Sequence, residues 1–518
     1  MRIASSRERL LYAGGAVVCA LLSIAVGWTS YADRLNGSFY DLYFRQRGPR
    51  APNQYIVLVA IDDETLARYG ALPLDRSVLA QGIRAIQEAG PRLLAVDLLL
   101  SDVAEPSADA ELQEALDGPT PVVLATALEA NTTGRWLHPL PIFTGRALVG
   151  HVHAAPDADG VSRRVLLEKQ SGRERYWALA FECVRLWLGT ASEPITESDD
   201  ALEIPRSADR GNSLRVPSSR SGERALLVNY AGGNGSFPQI GFARLLRRPE
   251  LRQQLRDKAV LLGVTAQGAG DRLFTPFSSG IGMPGVEIHA NLLHTLLTEQ
   301  FLRPAEELAV VLAMLAVAGT TAWVFARFHG FRLGILLGGL GVALVALPYR
   351  LFLAGQAWPA FSLLLPFGSM SVLGGACQLL LARRRLDESE AKRQRSQQQW
   401  QMAAHEIRTP LTAIQGSSEL LLRYPLDDAK RGQMIRLISE ESERLGKLVE
   451  RFLSVERLSA GEMELRREPL DLAGLLAATA ERVRPAAERK GIQLIREDPI
   501  SGAEVEGDPE LLEFAISN

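Results

Sequence analysis

The chain has 518 residues, of which 47% are apolar and 23% are charged, and its formal net charge is −3. This length predicts several domains rather than one, and the nearly neutral charge gives no indication of nucleic-acid binding. Three cysteines, at 19, 183 and 377, are too few and too scattered for a disulfide framework.

The first predicted element is a membrane span at residues 10–28, an apolar run that follows Arg2, Arg7 and Arg9. A run of this length can cross about 30 Å of hydrocarbon as a helix. A cleaved signal peptide is the alternative, but its apolar region is usually only about 7–15 residues long and ends at a small-residue cleavage site, which is poor here. We therefore expect an uncleaved span.

Three further apolar runs predict membrane spans at residues 308–325, 333–353 and 358–382. Basic residues flank them at Arg327, at Arg332 and at 383–385, on the side of the membrane that holds the N-terminal arginines if each run crosses once. The chain is then a multi-pass protein of the inner (plasma) membrane. Residues 1–9 and the segment after 382 are expected in the cytoplasm, and residues 30–304 outside it.

The outer region has a mixed α/β pattern. Apolar runs predict strands, and amphipathic stretches predict helices at 77–89, 177–188 and 286–298. The strands are expected at residues 55–61, 92–98, 122–125, 164–167, 226–230 and 260–264. The first two strands and the helix between them suggest a parallel unit, although the order of the whole sheet does not follow from the pattern.

Candidate ligand-sensing residues lie near the predicted strand ends. Asp62, Asp97 and Asp271 follow or end strands or turns, and ligands gather at the carboxyl ends of parallel strands. Helix capping is the simpler interpretation of these carboxylates, especially of Asp62. His289 can be a residue that titrates near neutral pH or, more simply, a hydrogen-bonded residue on a packed helix. An outer enzyme acting on a small molecule would rest on the three carboxylates alone.

Several outer segments resemble a known sensory domain. The segments are YDL at 40–42 with Arg45 and Arg47, VAIDDETL at 59–66, PDADGV at 156–161 and GVEIHAN at 285–291. They resemble the CHASE type-2 extracellular sensory domain over residues 30–304. In that family one span precedes the sensor and three spans typically follow it, which agrees with the hydropathy pattern. The resemblance implies reception of an outer signal and leaves the ligand unknown.

Residues 383–400 contain neither proline nor glycine and are mostly charged or amide-bearing, so the last span is expected to continue as a helical linker. Beyond it, Ile407, Leu411, Ile414 and Leu421 recur at helical spacing and predict one apolar stripe. His405 lies two positions before Ile407, about 200° around the helix. Its imidazole is therefore expected to face water.

The surroundings of His405 favour phosphoryl chemistry. A neutral imidazole is a nucleophile, and the adjacent carboxylate of Glu406 can accept the proton released from the other ring nitrogen. Pro410 withholds a backbone donor and can loosen the helix. A zinc protease is excluded because no second histidine follows His405 and Glu406 by one turn. No metal site is predicted.

A second helix carries its own apolar seams. Ile438, Leu445 and Phe452 are seven residues apart, and Leu448 and Val455 supply a companion position. Two such helices do not bury their seams alone, so we expect a four-helix bundle formed by a homodimer. An intracellular coiled coil without a catalytic role is the alternative. It leaves the His405 segment unexplained.

The segment HEIRTPL at residues 405–411 resembles the H-box of sensor histidine kinases. The resemblance covers residues 395–458, the helical-hairpin dimerisation and histidine-phosphotransfer domain. It implies that His405 is the phosphoacceptor and Glu406 the assisting acid/base. It also implies that Thr409 helps to position the water that dephosphorylates the partner response regulator. A two-component system passes the phosphoryl group from such a histidine to an aspartate of that regulator.

Residues 462–518 resemble the start of the α/β-sandwich ATPase domain of these kinases. We expect strands at 463–467 and 492–497, a helix at 472–489, and a last helix opened by GDP at 507–509 that reaches Asn518. By the resemblance Asn518 stands at the start of the N-box, and ATP and Mg²⁺ are bound mainly by later residues. We therefore expect a truncated product or fragment. The second hypothesis is a non-catalytic receptor whose His405 accepts phosphate from another kinase or only mediates dimer contacts.

Overall fold

The computed structural model describes residues 6–129, 134–206, 213–220, 224–425, 427–460, 467–495 and 504–517. The chain forms two compact units, Met1–Leu379 and Leu380–Asn518. The helices are α1 (Ser6–Gly27), α2 (Ser30–Arg47), α3 (Asp63–Tyr69), α4 (Arg76–Glu88), α5 (Pro106–Leu116), α6 (Leu179–Leu188), α7 (Phe242–Arg247), α8 (Gly285–Thr298), α9 (Glu307–Arg327), α10 (Phe331–Leu353), α11 (Ala360–Arg423), α12 (Asp428–Ala460), α13 (Leu472–Arg489) and α14 (Pro509–Ser517).

The strands are short outside the central sheet. They are β1 (Ile56–Ile61), β2 (Leu93–Asp97), β3 (Val122–Leu128), β4 (Trp136–Leu137), β5 (Leu148–His151), β6 (Ala154–Ala155), β7 (Arg164–Leu166), β8 (Glu168–Ser171), β9 (Glu174–Trp177), β10 (Thr196–Glu197), β11 (Ala201–Ile204), β12 (Leu214–Pro217), β13 (Ala225–Leu227), β14 (Gln239–Gly241), β15 (Ala259–Val264), β16 (Arg272–Leu273), β17 (Met283–Pro284), β18 (Arg303–Pro304), β19 (Gln356–Ala357), β20 (Glu468–Asp471) and β21 (Glu504–Gly507).

The main sheet of the first unit confirms the predicted mixed α/β class. Its strands run in the order β14, β1, β15, β2, β3, with β5 parallel to β3 and β4 antiparallel at the end of β3. The pairs from β14 to β3 are parallel. Strands β1 and β2 are parallel, as the predicted unit requires, and β15 lies between them. Every residue of β15 from Ala259 to Gly263 is buried, as a central strand requires.

The two faces of this sheet bury separate cores, since side chains alternate along each strand. In β1, Ile56 and Leu58 pack against one core together with α6 and α8. Val57, Val59 and Ile61 pack against the other, together with α4, α5 and α7. Helices therefore cover both faces, which explains why these strands read as uninterrupted apolar runs in the sequence.

Predicted and observed elements of the first unit agree closely where the signal is local. The strand expected at 226–230 is shorter, because β13 ends at Leu227, and the helix expected at 177–188 begins at Leu179, because Trp177 belongs to β9. Helix α2 was not predicted. Thr29 caps it, accepting a hydrogen bond from the Ala32 backbone N–H at 3.3 Å.

Four helices are long and apolar enough to cross a membrane: Ser6–Gly27, Glu307–Arg327, Phe331–Leu353 and the Ala360–Gln394 part of α11. They contain the four apolar runs found in the sequence, apart from a residue or two at their ends. Helices α1 and α9 pack together, with the rings of Tyr12 and Phe325 stacked at 6.3 Å.

In the second unit, α13 matches the helix predicted at 472–489, and α14 follows residues 507–508 as predicted. Strand β20 pairs with β21 in antiparallel fashion. The strand expected at 492–497 is wrong over residues 492–495, which are irregular; residues 496–497 lie outside the described ranges. The strand expected at 463–467 falls mostly outside them too, and Arg467 precedes β20.

Candidate functional site

His405 lies on α11 with its side chain exposed, as the helical spacing predicted. Glu406 and Thr409 are exposed as well. The Thr409 hydroxyl donates a hydrogen bond to the His405 carbonyl oxygen at 3.3 Å. This bond places Thr409 one turn after His405 on the same face of the helix, so both side chains are open to a molecule approaching from solvent.

The face beyond Thr409 stays open. Thr412 is exposed, and its hydroxyl turns back to the Arg408 carbonyl oxygen at 2.8 Å. Gly416 follows, and a Cβ atom added there would meet nothing within 4 Å. Small side chains therefore continue the surface that starts at His405, as the sequence indicated.

The apolar stripe of α11 differs from the prediction at two positions. Pro410 and Ser417 are buried, and Ile407, Ile414 and Leu421 are half-buried. Together these residues follow a spacing of three and four, which is a seven-residue repeat. Leu411 is 42% exposed, so its predicted place in the stripe is wrong for the single chain. The pyrrolidine ring of Pro410 takes that place, and because proline has no N–H, the Glu406 carbonyl loses its normal helical partner.

Helix α12 presents the described part of the predicted seam. Met434, Ile438, Leu445 and Leu448 are half-buried, whereas the side chains of Phe452 and Val455 lie outside the described part of the chain. Glu441 is also half-buried, and Arg444 lies 3.6 Å from its carboxylate. This arginine explains how a charged residue can interrupt the apolar seam.

The predicted nucleotide contact, Asn518, lies outside the described residues. The nearest described elements are β21 and α14, where the Asp508 carboxylate accepts a hydrogen bond from the Leu511 N–H at 3.3 Å and so caps the helix. Among the residues that the structure describes, no group of three or more His, Cys, Asp or Glu is placed to hold a metal ion.

In the outer domain, Asp62 caps α3, which confirms the simpler interpretation. Its carboxylate accepts hydrogen bonds from the Thr65 N–H at 2.9 Å and from the Thr65 hydroxyl at 2.6 Å. Arg244 lies 3.5 Å away. These partners account for the position of Asp62 without a ligand.

We expect Asp62→Ala to destabilise the outer domain by about 1 kcal/mol, because an orphan N–H of α3 then loses its acceptor. A lower thermal midpoint of the purified chain is the measurement. Asp62→Asn should retain most of the stability, since an amide oxygen caps a helix equally well. Glu111→Ala, at an exposed position of α5, is the matched control. An unchanged midpoint for Asp62→Ala would contradict the capping role.

The other three candidates, Asp97, Asp271 and His289, interact electrostatically. Asp97 ends β2, and burial raises the pKa of its carboxyl, with a further contribution from Asp271 and an opposing one from His289. His289 is only 3% exposed on α8, and burial lowers its pKa. Its Nδ1 has no hydrogen-bond partner among the described residues. The burial of His289 on α8 agrees with the packed-helix interpretation.

An ion-pair network around Arg163 was missed by the sequence reasoning. The buried guanidinium makes two bonds to Asp41 of α2, at 2.8 and 2.7 Å. It also binds Asp157 at 2.9 Å and Asp159 at 2.7 Å. Burial works against the charge of Arg163, but the carboxylates more than offset it and raise the pKa. Asp41 and the 156–161 loop belong to the segments that carried the family resemblance. The sequence therefore indicated the acidic residues of the network but not Arg163, which joins them.

Aromatic contacts join α2 to the end of α10. The Phe352 ring lies 5.6 Å from that of Tyr40 and 5.0 Å from that of Phe44, centroid to centroid. The guanidinium of Arg47 stands 4.6 Å from the Phe44 ring and donates to the Asn229 side-chain oxygen at 2.6 Å. Helix α2 is thus fixed to the outer domain and to a candidate membrane helix together.

The first turn of α11 is bound to α2 by a reciprocal pair of hydrogen bonds, which we call the Asn36–Ser362 clamp. The Asn36 amide donates to the Ser362 hydroxyl at 2.9 Å, and the Ser362 backbone N–H donates to the Asn36 side-chain oxygen at 3.2 Å. The second bond satisfies one of the N–H groups that a helix start leaves without a partner. Just before α11, β19 pairs with β18, which precedes α9.

Comparison with known proteins gives two family matches. The model of the CHASE2 domain matches residues 16–326, and that of the His Kinase A (phospho-acceptor) domain matches residues 395–461. The first match covers more than half of the chain, and the second includes His405.

Curated relatives match over shorter stretches. The autoinducer 2 sensor kinase/phosphatase LuxQ of Vibrio cholerae is 32% identical over 102 residues, 20% of this chain and 12% of LuxQ. The circadian input-output histidine kinase CikA of Thermosynechococcus vestitus is 34% identical over 93 residues, 18% of this chain and 13% of CikA. The sensor histidine kinase YclK of Bacillus subtilis is 30% identical over 109 residues, 21% of this chain and 23% of YclK. The chain therefore spans less than a quarter of the length of each of these relatives.

Proposed function

This chain belongs to the CHASE2 domain family and carries a HisKA phospho-acceptor domain, and from this premise we propose that it acts as a two-component sensor histidine kinase. In this proposal an outer signal controls the transfer of the γ-phosphoryl group of ATP to His405. The group then passes to an aspartate of a cytoplasmic response regulator. The exposed imidazole of His405, beside the exposed carboxylate of Glu406, is the observation that carries the proposal.

The chemistry assigned to this chain is simple. A ring nitrogen of His405 attacks the γ-phosphorus, the new N–P bond forms as the bond to the bridging oxygen breaks, and ADP leaves. Glu406 accepts the proton from the other ring nitrogen, which keeps the phosphorylated ring neutral. Thr409 is assigned to the later dephosphorylation of the regulator, where its hydroxyl positions water. Mg²⁺ supplies charge neutralisation on the phosphates when it is bound with ATP.

The proposed topology places residues 1–9 and the segment after 382 in the cytoplasm of an inner (plasma) membrane protein. Residues 30–304 form the sensor outside it, and residues 383–400 link the last span to the phosphotransfer domain at 395–458. An ATPase domain begins near residue 462. Four helices of suitable length and the arginines near their ends support this arrangement.

Dimerisation is part of the proposal. Large apolar side chains of the hairpin are uncovered in the single chain, and among them Leu411 is 42% exposed, Ile435 is 56% exposed and Val449 is 40% exposed. A second copy would bury such residues in a four-helix bundle. The apolar seams of α11 and α12 lie beside them, as a bundle core requires.

Phosphopeptide mapping tests the proposed function. The purified chain in lipid nanodiscs is incubated with γ-labelled ATP, once alone and once with a separately purified ATP-binding domain of a sensor kinase. We expect acid-labile, base-stable label on the tryptic peptide 396–408, which contains His405 as its single histidine. Label in the chain alone assigns catalysis to it, whereas label only with the added domain supports a phosphoacceptor served by another kinase. Label confined to other peptides would contradict the proposal.

A further inference from the structure

A cavity of about 580 Å³ lies within the first unit, beside the start of α2. Its walls come from the junction of α1 and α2, the 157–159 loop, the first turns of α9 and the segment that opens α11. This volume suits a small organic molecule. The residues of the Asn36–Ser362 clamp both line it, so a molecule in the cavity would touch the attachment of α11 to α2.

The charged groups that line the cavity have a small excess of negative charge. Its lining contains four carboxylates and three guanidinium groups: Asp33, Asp157, Asp159 and Glu307, and Arg34, Arg163 and Arg164. A fifth carboxylate, that of Asp41, does not line the cavity but also binds Arg163. Arg163 and Arg164 are occupied by the loop aspartates, Arg164 at 3.2 Å from Asp157. The charged lining residues outside these ion pairs are two carboxylates, Asp33 and Glu307, and one guanidinium, Arg34. All three are exposed, and together they carry a net negative charge.

Aromatic side chains complete the lining. Trp28 and Trp358 each contribute an indole ring, and Tyr40 contributes a phenol. The Tyr40 hydroxyl is buried and has no hydrogen-bond partner among the described residues. Aromatic faces beside carboxylates attract organic cations, because the ring quadrupole and the negative charge act in the same direction.

We infer that this cavity binds a small organic cation, an amine or a quaternary ammonium group, and that its occupancy is the signal passed to α11. The interpretation of occupancy as a signal rests on the proposed function, whereas the binding of the cation does not. Two sources can supply such a group, a free solute outside the cytoplasm and the headgroup of a zwitterionic lipid. The position of the cavity beside the ends of candidate membrane helices gives both sources access.

Calorimetric titration of the whole chain with choline tests the inference. In nanodiscs of phosphatidylglycerol, which carry no cationic headgroup, we expect choline to bind and its uncharged carbon isostere not to bind. Asp33→Asn and Glu307→Gln should each weaken choline binding by about fivefold, since each removes one carboxylate from a shared site. Glu306→Gln is the matched control, because Glu306 is also exposed but does not line the cavity.

Nanodiscs of phosphatidylcholine separate the two sources. Choline binding that persists there assigns the site to a free solute, whereas binding lost only there assigns it to the lipid headgroup. The inference is overturned if choline does not bind in phosphatidylglycerol, if the carbon isostere binds equally, or if Glu306→Gln weakens binding as much as Glu307→Gln. None of these results involves phosphorylation of His405, so a failure here is distinguishable from a failure of the kinase proposal.

Discussion

Replacing His405 with glutamine will reduce acid-labile phosphorylation of this chain by about a hundredfold or more, to the background of the assay. Glutamine is a good helix former of similar length, but its amide nitrogen has no free lone pair to attack phosphorus. The exposed position of His405 on α11 means that no packing is lost. Circular dichroism and dimer mass should therefore be unchanged while the label disappears from peptide 396–408.

Glu406→Gln provides the companion measurement to this loss. Removal of a proton acceptor typically slows a reaction by about 10²–10⁴-fold, so the labelling rate should fall while His405 remains the labelled residue. Glu388→Gln, also exposed on α11, is the control and should label at the normal rate. Persistence of label on the His405→Gln chain would remove this histidine from the mechanism, and a normal rate for Glu406→Gln would remove the carboxylate.

Arg163→Met will destabilise the outer domain by about 3–5 kcal/mol, the cost of leaving a buried charge without its partner. Arg163 is 3% exposed and Asp41 is 8% exposed, so the pair is buried and loss of the guanidinium leaves the Asp41 carboxylate poorly solvated. A large fall in the thermal midpoint of the chain in nanodiscs is the expected observation. Lysine should substitute poorly, because a single ammonium cannot make the paired bonds to Asp41 that the guanidinium makes.

Two further variants separate the charge network from simple packing. Arg164→Met removes a neighbouring arginine whose side chain is 52% exposed, and it should cost less than about 1 kcal/mol. Combining Arg163→Met with Asp41→Asn should recover part of the lost stability, since the uncompensated carboxylate is gone. Equal effects of Arg163→Met and Arg164→Met would show that the network contributes nothing beyond a surface ion pair.

Local signals predicted much of the secondary structure. The apolar runs of β1 and β2, the cap at Asp62 and the amphipathic α4 depend on residues within one or two turns of each other, and they lie close to where the pattern put them. The sheet order could not be predicted in this way. Strand β15 enters between β1 and β2 from more than 150 residues further along the chain, and nothing in the local pattern of these strands states which of them are neighbours.

The candidate sites show the same difference between local and long-range contacts. The exposure of His405 follows from helical geometry over a few residues, so the sequence was sufficient. The Arg163 network joins residues 122 positions apart, and no periodicity connects them. The strand expected at 492–497 followed from the resemblance to the ATPase domain, but residues 492–495 are irregular and β20 pairs with β21 at 504–507. Leu411 has the spacing of the stripe, but the buried ring of Pro410 fills that place.

The short pairing of β18 with β19 limits how α11 can move. Arg303 N–H donates to the Gly355 carbonyl at 2.8 Å, and Ala305 N–H donates to the Ala357 carbonyl at 3.0 Å. These bonds tie the residues just ahead of α9 to those just ahead of α11. A piston-like slide of one helix past the other would break both bonds, whereas a twist or a lean about the tethered end would break neither. The pairing therefore favours a rotation or a tilt of α11 over a slide along α9.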